Sequence, residues 1–567
     1  MLAMTSRAAH GLTSLLAFLT CVEARAVTSS QTTLTIVGTS DLHGHIAALP
    51  WFSGYLRDLR ASRDPGAVIL LDAGDMFQGT LESNLAEGAP VVDAYNALGY
   101  SAAAIGNHEL DFGPVGPAPS PAKAGDDPQG ALKARAAQAH FPFLAANIVD
   151  KASHRPMAWK NVMPSTLIDA DGIKVGIVGV VTAATPRSTL PANVAGLDFL
   201  PLAQSIARES RRLRARGAEL VIAVAHEGGA CQKLDNPDAL DSCDPKSEII
   251  AIARRLPKHA VDAIVAGHTH QAMAQRVAGI PIIESYSNGR AFGRVDLTID
   301  RATGKVLASQ IEPPQDICPA STPDACNPGI YLGKAVHKDE QLAALLAPAF
   351  ELARRTGEAG LGVDVLRPLP HNRAQETALG NLLADLMRSY RPTGLGEKIA
   401  GASVYDVAMI NGGGMRAGLP AGPLTFARLY ESFPFDNTFA FVKLSAGEFR
   451  RLLARALGRS ASLVSLSGVR VRARCKGQAL QVSLSRPDGA PISDDTVLSL
   501  ATTDFLATGG DGFFADAAIT YEIGPPVRDE MAEALRKRGG SIDGNDIFDP
   551  THPRFDLPGP VPIQCGR

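Results

Sequence analysis

The sequence predicts an α/β protein built from two domains. From residue 33 to about residue 312, short apolar runs alternate with stretches of helical pattern, such as 202–216 and 246–256. This alternation is typical of sheets that are covered by helices. With 567 residues, the chain also exceeds what one hydrophobic core usually supports. A second series of strand-like runs begins after residue 361, so we expect a second α/β domain there.

The predicted strands of the first domain are short, apolar and rich in β-branched residues, which is typical of buried parallel sheets. Five of them are followed directly by polar motifs and span residues 34–38, 68–71, 102–105, 220–224 and 263–265. Four more are expected at 174–181, 281–284, 294–300 and 306–311. Residues 114–130 are rich in Pro, Ala and Gly and predict a surface loop. This loop either narrows access to the neighbouring motif or is a tolerated insertion.

Composition and a helical pattern mark the segment between the domains. Residues 313–328 are rich in Pro, Ser and Thr and predict an interdomain loop. Residues 338–359 predict a helix with one apolar side, formed by Leu342, Leu345, Leu346, Phe350 and Leu352. We assign residues 27–335 to the first domain, 336–360 to the linking helix and 361–567 to the second domain. In the second domain we expect a helix at 374–389 and strands at 404–410, 438–444, 469–474 and 497–502.

The first 26 residues have the pattern of an export signal. Arg7 precedes an apolar stretch, residues 12–20, and Ala24-Arg25-Ala26 has the small-x-small pattern of a cleavage site. We predict cleavage before Val27 and a periplasmic or secreted protein. The apolar stretch is too short to span a bilayer as a helix, and no later segment reaches that length without charges. No transmembrane segment is therefore expected.

Cleavage would remove Cys21 and leave six cysteines, an even number that implies disulfides in an exported chain. Proximity in the sequence favours the pairs Cys231–Cys243 and Cys318–Cys326. Cys475 and Cys565 would then tie the C-terminal tail to the second domain. This is a ranking, and the other pairings stay open.

The charge balance argues against a nucleic-acid polymer as partner. Lys and Arg number 55 against 58 Asp and Glu, a formal charge of −3, and no run of basic residues is present. A small anionic substrate would instead be bound by a few placed cations. The sequence leaves the oligomeric state open.

Five polar motifs follow the five strands named above. They are Asp41-Leu42-His43, Gly74-Asp75, Gly106-Asn107-His108-Glu109, Ala225-His226-Glu227 and Gly267-His268-Thr269-His270. Sites in open α/β sheets are built at the carboxyl ends of the strands, so these side chains should meet. His, Asp and Asn without any thiolate suit divalent metals. The five motifs together predict a two-metal phosphoesterase.

Three further motifs make a resemblance specific. They are Asn411-Gly-Gly-Gly-Met-Arg416, Pro434-Phe435-Asp436-Asn437 and the segment from Asp504 to Phe513. With the metal motifs, they resemble the 5′-nucleotidase family, which includes periplasmic UDP-sugar hydrolases and surface ecto-5′-nucleotidases. The match runs from about residue 33 to about residue 515. It implies a four-layer α/β/β/α metallophosphoesterase sandwich, a long bridging helix and a C-terminal α/β nucleotide-binding domain.

The resemblance also implies a role for each residue of the metal centre. Two divalent ions, with Zn, Mn or Co expected, would be held by Asp41, His43, Asp75 and His270 and by Asp75, Asn107, His226 and His268. Asp75 would be the shared anion that two nearby cations require. His108 would meet the transferring phosphoryl group or the leaving oxygen, and Asp111 would orient its imidazole.

The second domain would supply the nucleotide site. The resemblance implies that Phe435 and Phe505 hold the base between them and that Asp511 binds the ribose hydroxyls. Arg373 and Arg416 would engage phosphate oxygens, and Asn411 would fix the base or the Gly-rich loop. Because these residues and the metal ligands belong to different domains, the site would be complete only when the domains approach each other.

The expected function is that of an exported 5′-nucleotidase acting on nucleoside 5′-monophosphates, with nucleoside di- and triphosphates or UDP-sugars as further candidate substrates. The nearest enzyme alternative is a 2′,3′-cyclic-nucleotide 2′-phosphodiesterase/3′-nucleotidase, which shares both domains but tends to have Asn in place of Asp111. A nonenzymatic alternative, a secreted nucleotide-binding protein, would have eroded metal ligands, and none is missing here.

Overall fold

The computed structural model of the chain describes residues 31–63, 68–121, 123–318, 326–391, 405–514 and 521–566. The expected export signal lies outside these residues. No helix in the described part is long and apolar enough to cross a membrane.

Two mixed sheets form the centre of the first domain. The first sheet has seven strands in the order Lys305–Asp316, Ala291–Asp300, Gln31–Thr39, Val68–Asp72, Ala102–Ala104, Phe143–Leu144 and Val162–Met163. The second has six, in the order Ala272–Val277, Ile280–Ser285, Ala263–Ala266, Leu220–His226, Ile173–Val181 and Ser165–Ala170. All nine strands predicted for this domain are confirmed. Of the five that precede the polar motifs, three run parallel to one another in the first sheet and two in the second, so their carboxyl ends lie at one edge of each sheet.

The two sheets pack face to face. Successive side chains of a strand point to opposite sides of the sheet, and both sides are apolar here, so each sheet can bury one side against the other sheet and the other side against helices. Ile36 and Leu71 of the first sheet share one buried cluster with Val224 and Val265 of the second. The contact is close at Gly38, where a Cβ atom would lie 2.6 Å from Cγ1 of Val265.

Helices cover the two outer faces. Leu49–Ala61, Ala89–Leu98 and Gly130–Gln138 pack on the first sheet, and Leu202–Ala215 and Glu248–Arg255 pack on the second. The predicted four-layer α/β/β/α order is thereby confirmed. Residues 114–121 and 123–129 contain no helix or strand, as expected for a loop.

The linking helix spans Glu340–Gly357. Asp339 caps its N-terminus, because the Asp339 carboxylate accepts hydrogen bonds from the backbone N–H groups of Gln341 and Leu342 at 3.0 Å each. Leu342 and Leu346 are buried against the first domain. The predicted apolar side is wrong at two positions, since Leu345 and Leu352 are 48% and 49% exposed. The helix turns these positions away because its contact with the first domain is narrower than the apolar pattern.

The expected interdomain loop at 313–328 is also wrong at residues 313–316, whereas residues 317–318 and 326–328 contain no helix or strand. Residues 313–316 complete the edge strand Lys305–Asp316, and Ile317 and Cys326 are buried in the first domain. The hairpin Ile330–Tyr331 and Lys334–Ala335 follows, and Tyr331 packs on Tyr55 with ring centroids 5.1 Å apart. Proline is tolerated here because the strand lies at the sheet edge.

The second domain has a five-stranded sheet in the order Val464–Ser467, Val407–Asn411, Val497–Thr503, Thr438–Ser445 and Tyr521–Pro526. The helices Ala378–Ser389 and Val527–Arg538 share one buried cluster with residues of this sheet. The helix Ala446–Arg459 shares a second buried cluster with the same sheet. Two small sheets complete the domain and consist of Gly422–Thr425, Gly360–Val365 and Gly540–Ile542, and of Ala479–Ser485, Arg470–Lys476 and Phe555–Asp556. Short helices Leu81–Asn84, Pro191–Val194, Phe426–Ser432, Asp504–Ala507 and Gly544–Ile547 lie in connections of the two domains.

Three disulfides join Cys231 to Cys243, Cys318 to Cys326 and Cys475 to Cys565. The pairing ranked first from the sequence is confirmed. The third bridge ties the C-terminal tail to the strand Arg470–Lys476.

Candidate functional site

The five polar motifs meet where the carboxyl ends of the strands in the two facing sheets come together. The backbone is unusual there, because five predicted ligands have a positive φ, between 49° and 78°: Asp41, His43, Asp75, His268 and His270. Non-glycine residues adopt this region rarely, and such strain concentrates at functional sites. Asp41, Asp75 and His226 are at most 1% exposed.

The first group of candidate ligands consists of Asp41, His43 and His270. Nε2 of His43 lies 3.0 Å from Nε2 of His270, which lies 3.6 Å from Oδ1 of Asp41. Burial lowers the pKa of His43, and the Arg416 guanidinium adds to the effect. Neutral imidazoles converging on one point form the donor set that a cation requires.

The second group consists of Asp75, His226 and His268, with Asn107 beside them. Nε2 of His226 lies 3.0 Å from Oδ2 of Asp75, 3.0 Å from Oδ1 of Asn107 and 3.2 Å from Nδ1 of His268. Oδ2 of Asp75 is also 3.9 Å from Nε2 of His43 in the first group. Asp75 thus lies between the groups, where a bridging anion is needed.

Hydrogen bonds to backbone carbonyls orient two of the imidazoles. Nδ1–H of His43 donates to the carbonyl of Gln78 at 2.7 Å, and Nδ1–H of His226 donates to the carbonyl of Ala73 at 2.8 Å. Each bond leaves an Nε2 lone pair directed into the centre. The buried carboxylates, above all Asp75, raise the pKa of His226 to about 10 against the effect of burial. The residues present therefore fit two divalent ions, which would replace the proton as the compensating charge.

Two buried glutamates support the ligand loops, and the sequence reasoning did not assign them a role. Glu109 accepts hydrogen bonds from the backbone N–H groups of Gly106, Asp75, Met76 and Phe77, at 2.7, 2.8, 2.7 and 3.3 Å. Glu284 accepts one from the Thr269 hydroxyl at 2.5 Å. Glu109 stands inside a predicted motif, but three of its four partners, residues 75–77, follow a different strand.

His108 carries the hydrogen-bond arrangement of a positioned acid. Its Nδ1 lies 2.5 Å from Oδ2 of Asp111, and the Thr189 hydroxyl donates to Oδ1 of Asp111 at 2.7 Å. Although burial opposes it, Asp111 and Asp75 raise the pKa of His108. A protonated imidazole facing the centre could stabilise phosphate charge or protonate a leaving oxygen.

The second domain reaches into the same centre. Arg416 directs Nη2 to within 3.3 Å of Nε2 of His43, and its Cζ lies 5.6 Å from the ring centroid of Phe435. The Phe435 ring lies 5.5 Å from the His108 ring. Side chains from both domains therefore share one space.

The other predicted nucleotide residues surround this space. Nδ2 of Asn411 donates to Oδ2 of Asp511 at 2.8 Å, and Asp511 has a positive φ of 52°. Phe505 is half-buried, with its ring against Gly510, where a Cβ atom would lie 2.6 Å from the ring. Arg373 is exposed at the rim.

One cavity of about 390 Å³ joins both halves of the candidate site. Its lining includes Asp75, Asn107, His108, Asp111, His268, His270, Arg373, Asn411, Arg416, Phe435, Phe505 and Asp511. Residues 114–121 and 123–130 are not in this lining, although Phe112 is.

Arg528 was not identified from the sequence. It is 8% exposed and donates from Nη1 to the carbonyls of Phe433 and Phe435 at 3.3 and 3.1 Å. It also pairs with Asp436, and its Cζ lies 3.9 Å from the ring centroid of Tyr430. One guanidinium thus holds the loop that presents Phe435.

Comparison with family models finds two matches. The calcineurin-like phosphoesterase model matches residues 34–272, and the model of the 5′-nucleotidase C-terminal domain matches residues 355–517. Every site residue predicted from the sequence falls within these two ranges. Of the residues found only in the structure, Glu284 lies beyond the first range and Arg528 beyond the second.

Curated relatives are similar along most of the chain. Protein UshA of Yersinia enterocolitica is 26% identical over 518 residues, which cover 85% of this chain and 86% of UshA. The 5′-nucleotidase of Diplobatis ommata is 25% identical, and the match covers 87% of this chain and 85% of that protein. Endonuclease YhcR of Bacillus subtilis is 24% identical over 84% of this chain, but the chain spans only 36% of that protein.

Among solved structures, a 5′-nucleotidase precursor from Thermus thermophilus has a TM-score of 0.69 at 23% identity, covering 93% of this chain and 99% of that one. The sulfate thiohydrolase SoxB from Thermus thermophilus has a TM-score of 0.66 at 16% identity, covering 93% and 97%. These likenesses establish the two-domain fold.

Proposed function

Because the chain belongs to the family of metal-dependent phosphoric monoester hydrolases that join a calcineurin-like phosphoesterase domain to a 5′-nucleotidase C-terminal domain, we propose that it is a dinuclear 5′-nucleotidase. It would hydrolyse nucleoside 5′-monophosphates to nucleosides and phosphate. The observation that carries this proposal is the single cavity lined both by candidate metal ligands and by Arg416, Phe435 and Phe505.

Asp41, His43, Asp75 and His270 would hold one divalent ion, and Asp75, Asn107, His226 and His268 would hold the other. Zn, Mn or Co suits these oxygen and imidazole donors. Such ions, when bound, activate water at neutral pH and neutralise phosphate charge.

The chain's own residues would orient the substrate. Arg416 and Arg373 supply positive charge for the phosphate, and Phe435 and Phe505 supply aromatic faces for the base. The Asp511 carboxylate can accept hydrogen bonds from ribose hydroxyls. His108, held by Asp111, would donate a proton or hydrogen bond to the phosphoryl group or the leaving oxygen.

We also propose that the protein acts outside the cytoplasm, in the periplasm or after secretion. Its three disulfides support this location, because disulfides persist in oxidising compartments. Nucleoside di- and triphosphates and UDP-sugars are further candidate substrates.

The test is phosphate release by metal-reconstituted protein from 5′-AMP, 5′-UMP, 3′-AMP, 2′,3′-cyclic AMP, ATP and UDP-glucose, with p-nitrophenyl phosphate as the reference without a base. We expect the 5′-monophosphates to have the highest kcat/KM and chelation to abolish turnover. Preference for 3′-AMP or 2′,3′-cyclic AMP would favour the cyclic phosphodiesterase alternative. Fully metallated protein with no hydrolysis would contradict the enzymatic proposal.

A further inference from the structure

Gln78 is a buried polar residue of the cavity to which the proposed function gives no role. It is 2% exposed and follows the candidate bridging residue Asp75 by three positions. Gln78 is one of the residues that line the cavity. Among the residues that the structure describes, neither Oε1 nor Nε2 of its amide has a hydrogen-bond partner.

The backbone around Gln78 is held firmly, so the unpaired amide does not reflect a loosely placed loop. The Gln78 carbonyl accepts the hydrogen bond from Nδ1–H of His43 at 2.7 Å. On either side, the carbonyl of Phe77 accepts from the Ser83 hydroxyl at 2.6 Å, and the N–H of Gly79 donates to Oδ1 of Asn84 at 3.0 Å.

A buried amide with both polar atoms unpaired lowers the stability of the ligand-free protein, because the amide has lost its hydrogen bonds to water without replacing them. Nearly all such groups are paired in native structures. Gln78 is one of the residues that line the space in which Arg416 and the candidate ligands would receive a phosphoryl group. An amide N–H is a suitable donor to a phosphoryl oxygen, and the amide oxygen can accept from a hydroxyl of the phosphate product.

We propose that Gln78 binds the phosphoryl group, with Nε2 donating to a phosphoryl oxygen and Oε1 accepting from the hydroxyl of the released phosphate. The proposal rests on the proposed function and adds a direct substrate contact from the first domain. Gln78 would act together with Arg416, which approaches from the second domain, and the ligand class is a phosphate monoester or inorganic phosphate.

The amide of Gln78 should contribute to phosphate binding and not to the stability of the fold. Gln275 is a matched control, because its amide should contribute to stability and not to phosphate binding. Gln275 is fully buried, but its Nε2 donates to the carbonyl of Lys233 and its Oε1 accepts from the N–H of Ala274, both at 2.8 Å. It lies in the strand Ala272–Val277. Gln78→Met and Gln275→Met make the same chemical change at an unpaired and a paired amide.

The measurements are calorimetric titration of inorganic phosphate into metal-loaded protein and denaturant unfolding without phosphate. Gln78→Met should keep the metal content, keep or raise the unfolding midpoint, and weaken phosphate binding on the order of tenfold. Gln275→Met should lower the unfolding midpoint and leave the phosphate affinity unchanged. Gln78→Glu, which keeps the shape but places a carboxylate there, should weaken phosphate binding further.

Unchanged phosphate affinity in both Gln78 variants, or a loss of stability in Gln78→Met as large as in Gln275→Met, would overturn the proposal. Phosphate binding does not depend on the base or on turnover. A wild-type protein that binds phosphate tightly but does not prefer nucleotides would therefore contradict the proposed function and leave the role of Gln78 testable by the same titration.

Discussion

Nη2 of Arg416, in the second domain, lies 3.3 Å from Nε2 of His43, in the first domain. His43 uses its other ring nitrogen to donate to the Gln78 carbonyl, so the lone pair of Nε2 faces the guanidinium. Arg416 is thus placed at the candidate metal centre. A phosphate bound there would meet this cation as well as the first domain.

Arg416→Ala should therefore impair hydrolysis of every phosphate monoester, whether or not it carries a base. Losing charge-assisted hydrogen bonds worth roughly 1.5–3 kcal/mol should lower kcat/KM by about 10- to 150-fold for 5′-AMP and p-nitrophenyl phosphate alike. Arg428→Ala is the control, because Arg428 pairs with Glu431 on the surface of the same domain. A defect restricted to nucleotides would show that Arg416 serves the nucleoside instead.

Asp75→Asn should reduce the metal content at both sites, since Asp75 lies between the two ligand groups. Metal analysis together with turnover checks this. Asp72→Asn is a matched control in the same segment, because Asp72 is bound by the Thr39 and Tyr95 hydroxyls and belongs to neither ligand group. Two tightly bound ions and near-normal turnover in Asp75→Asn would exclude the bridging role.

His108→Ala should retain both metals and lose on the order of 10²–10⁴ in turnover, the usual contribution of a positioned acid or base. Thr189→Val should have a smaller effect, roughly fivefold, because it removes one hydrogen bond to Asp111 and leaves His108 in place. If Thr189 acts by positioning Asp111 and His108, the acidic or basic limb of the pH profile of kcat should shift along the pH axis in Thr189→Val relative to the wild-type protein. Loss of metal from His108→Ala would instead make His108 a ligand.

Arg528→Lys should raise KM for 5′-AMP several-fold without changing hydrolysis of p-nitrophenyl phosphate. A lysine keeps the charge but cannot donate in a fork to the carbonyls of Phe433 and Phe435, so the loop that carries Phe435 should lose its fixed position. Steady-state kinetics with both substrates measures this. Equal defects on both would mean that Arg528 stabilises the domain in general.

Much of this architecture could be predicted from the sequence because its signals are local. Parallel strands buried on both faces are continuous apolar runs, and the motif after each run places a polar side chain at a sheet edge. The strands before Asp41, Asp75 and Asn107 follow this rule.

The parts that were wrong or missed depend on contacts between distant residues. The exposure of Leu345 is decided by the width of the contact between the linking helix and the first domain, which periodicity does not encode. Glu109 and Arg528 act on backbone groups of other segments, and backbone partners leave no mark in the sequence. The unpaired amide of Gln78 is visible only when the cavity is assembled.

The central claim is that the metal centre of the first domain, together with Arg416, performs the phosphate chemistry, whereas Phe435 and Phe505 of the second domain recognise the nucleoside. Its most direct test is the double variant Phe435→Ala/Phe505→Ala, assayed on 5′-AMP and on p-nitrophenyl phosphate after its folding and metal content have been verified. Both rings line the cavity, and neither belongs to a metal-ligand group. Stacking is worth roughly 1–3 kcal/mol per base contact. The claim predicts a sharp fall in kcat/KM for 5′-AMP with p-nitrophenyl phosphate hydrolysed at close to the original rate, whereas an equal loss on both substrates would contradict it.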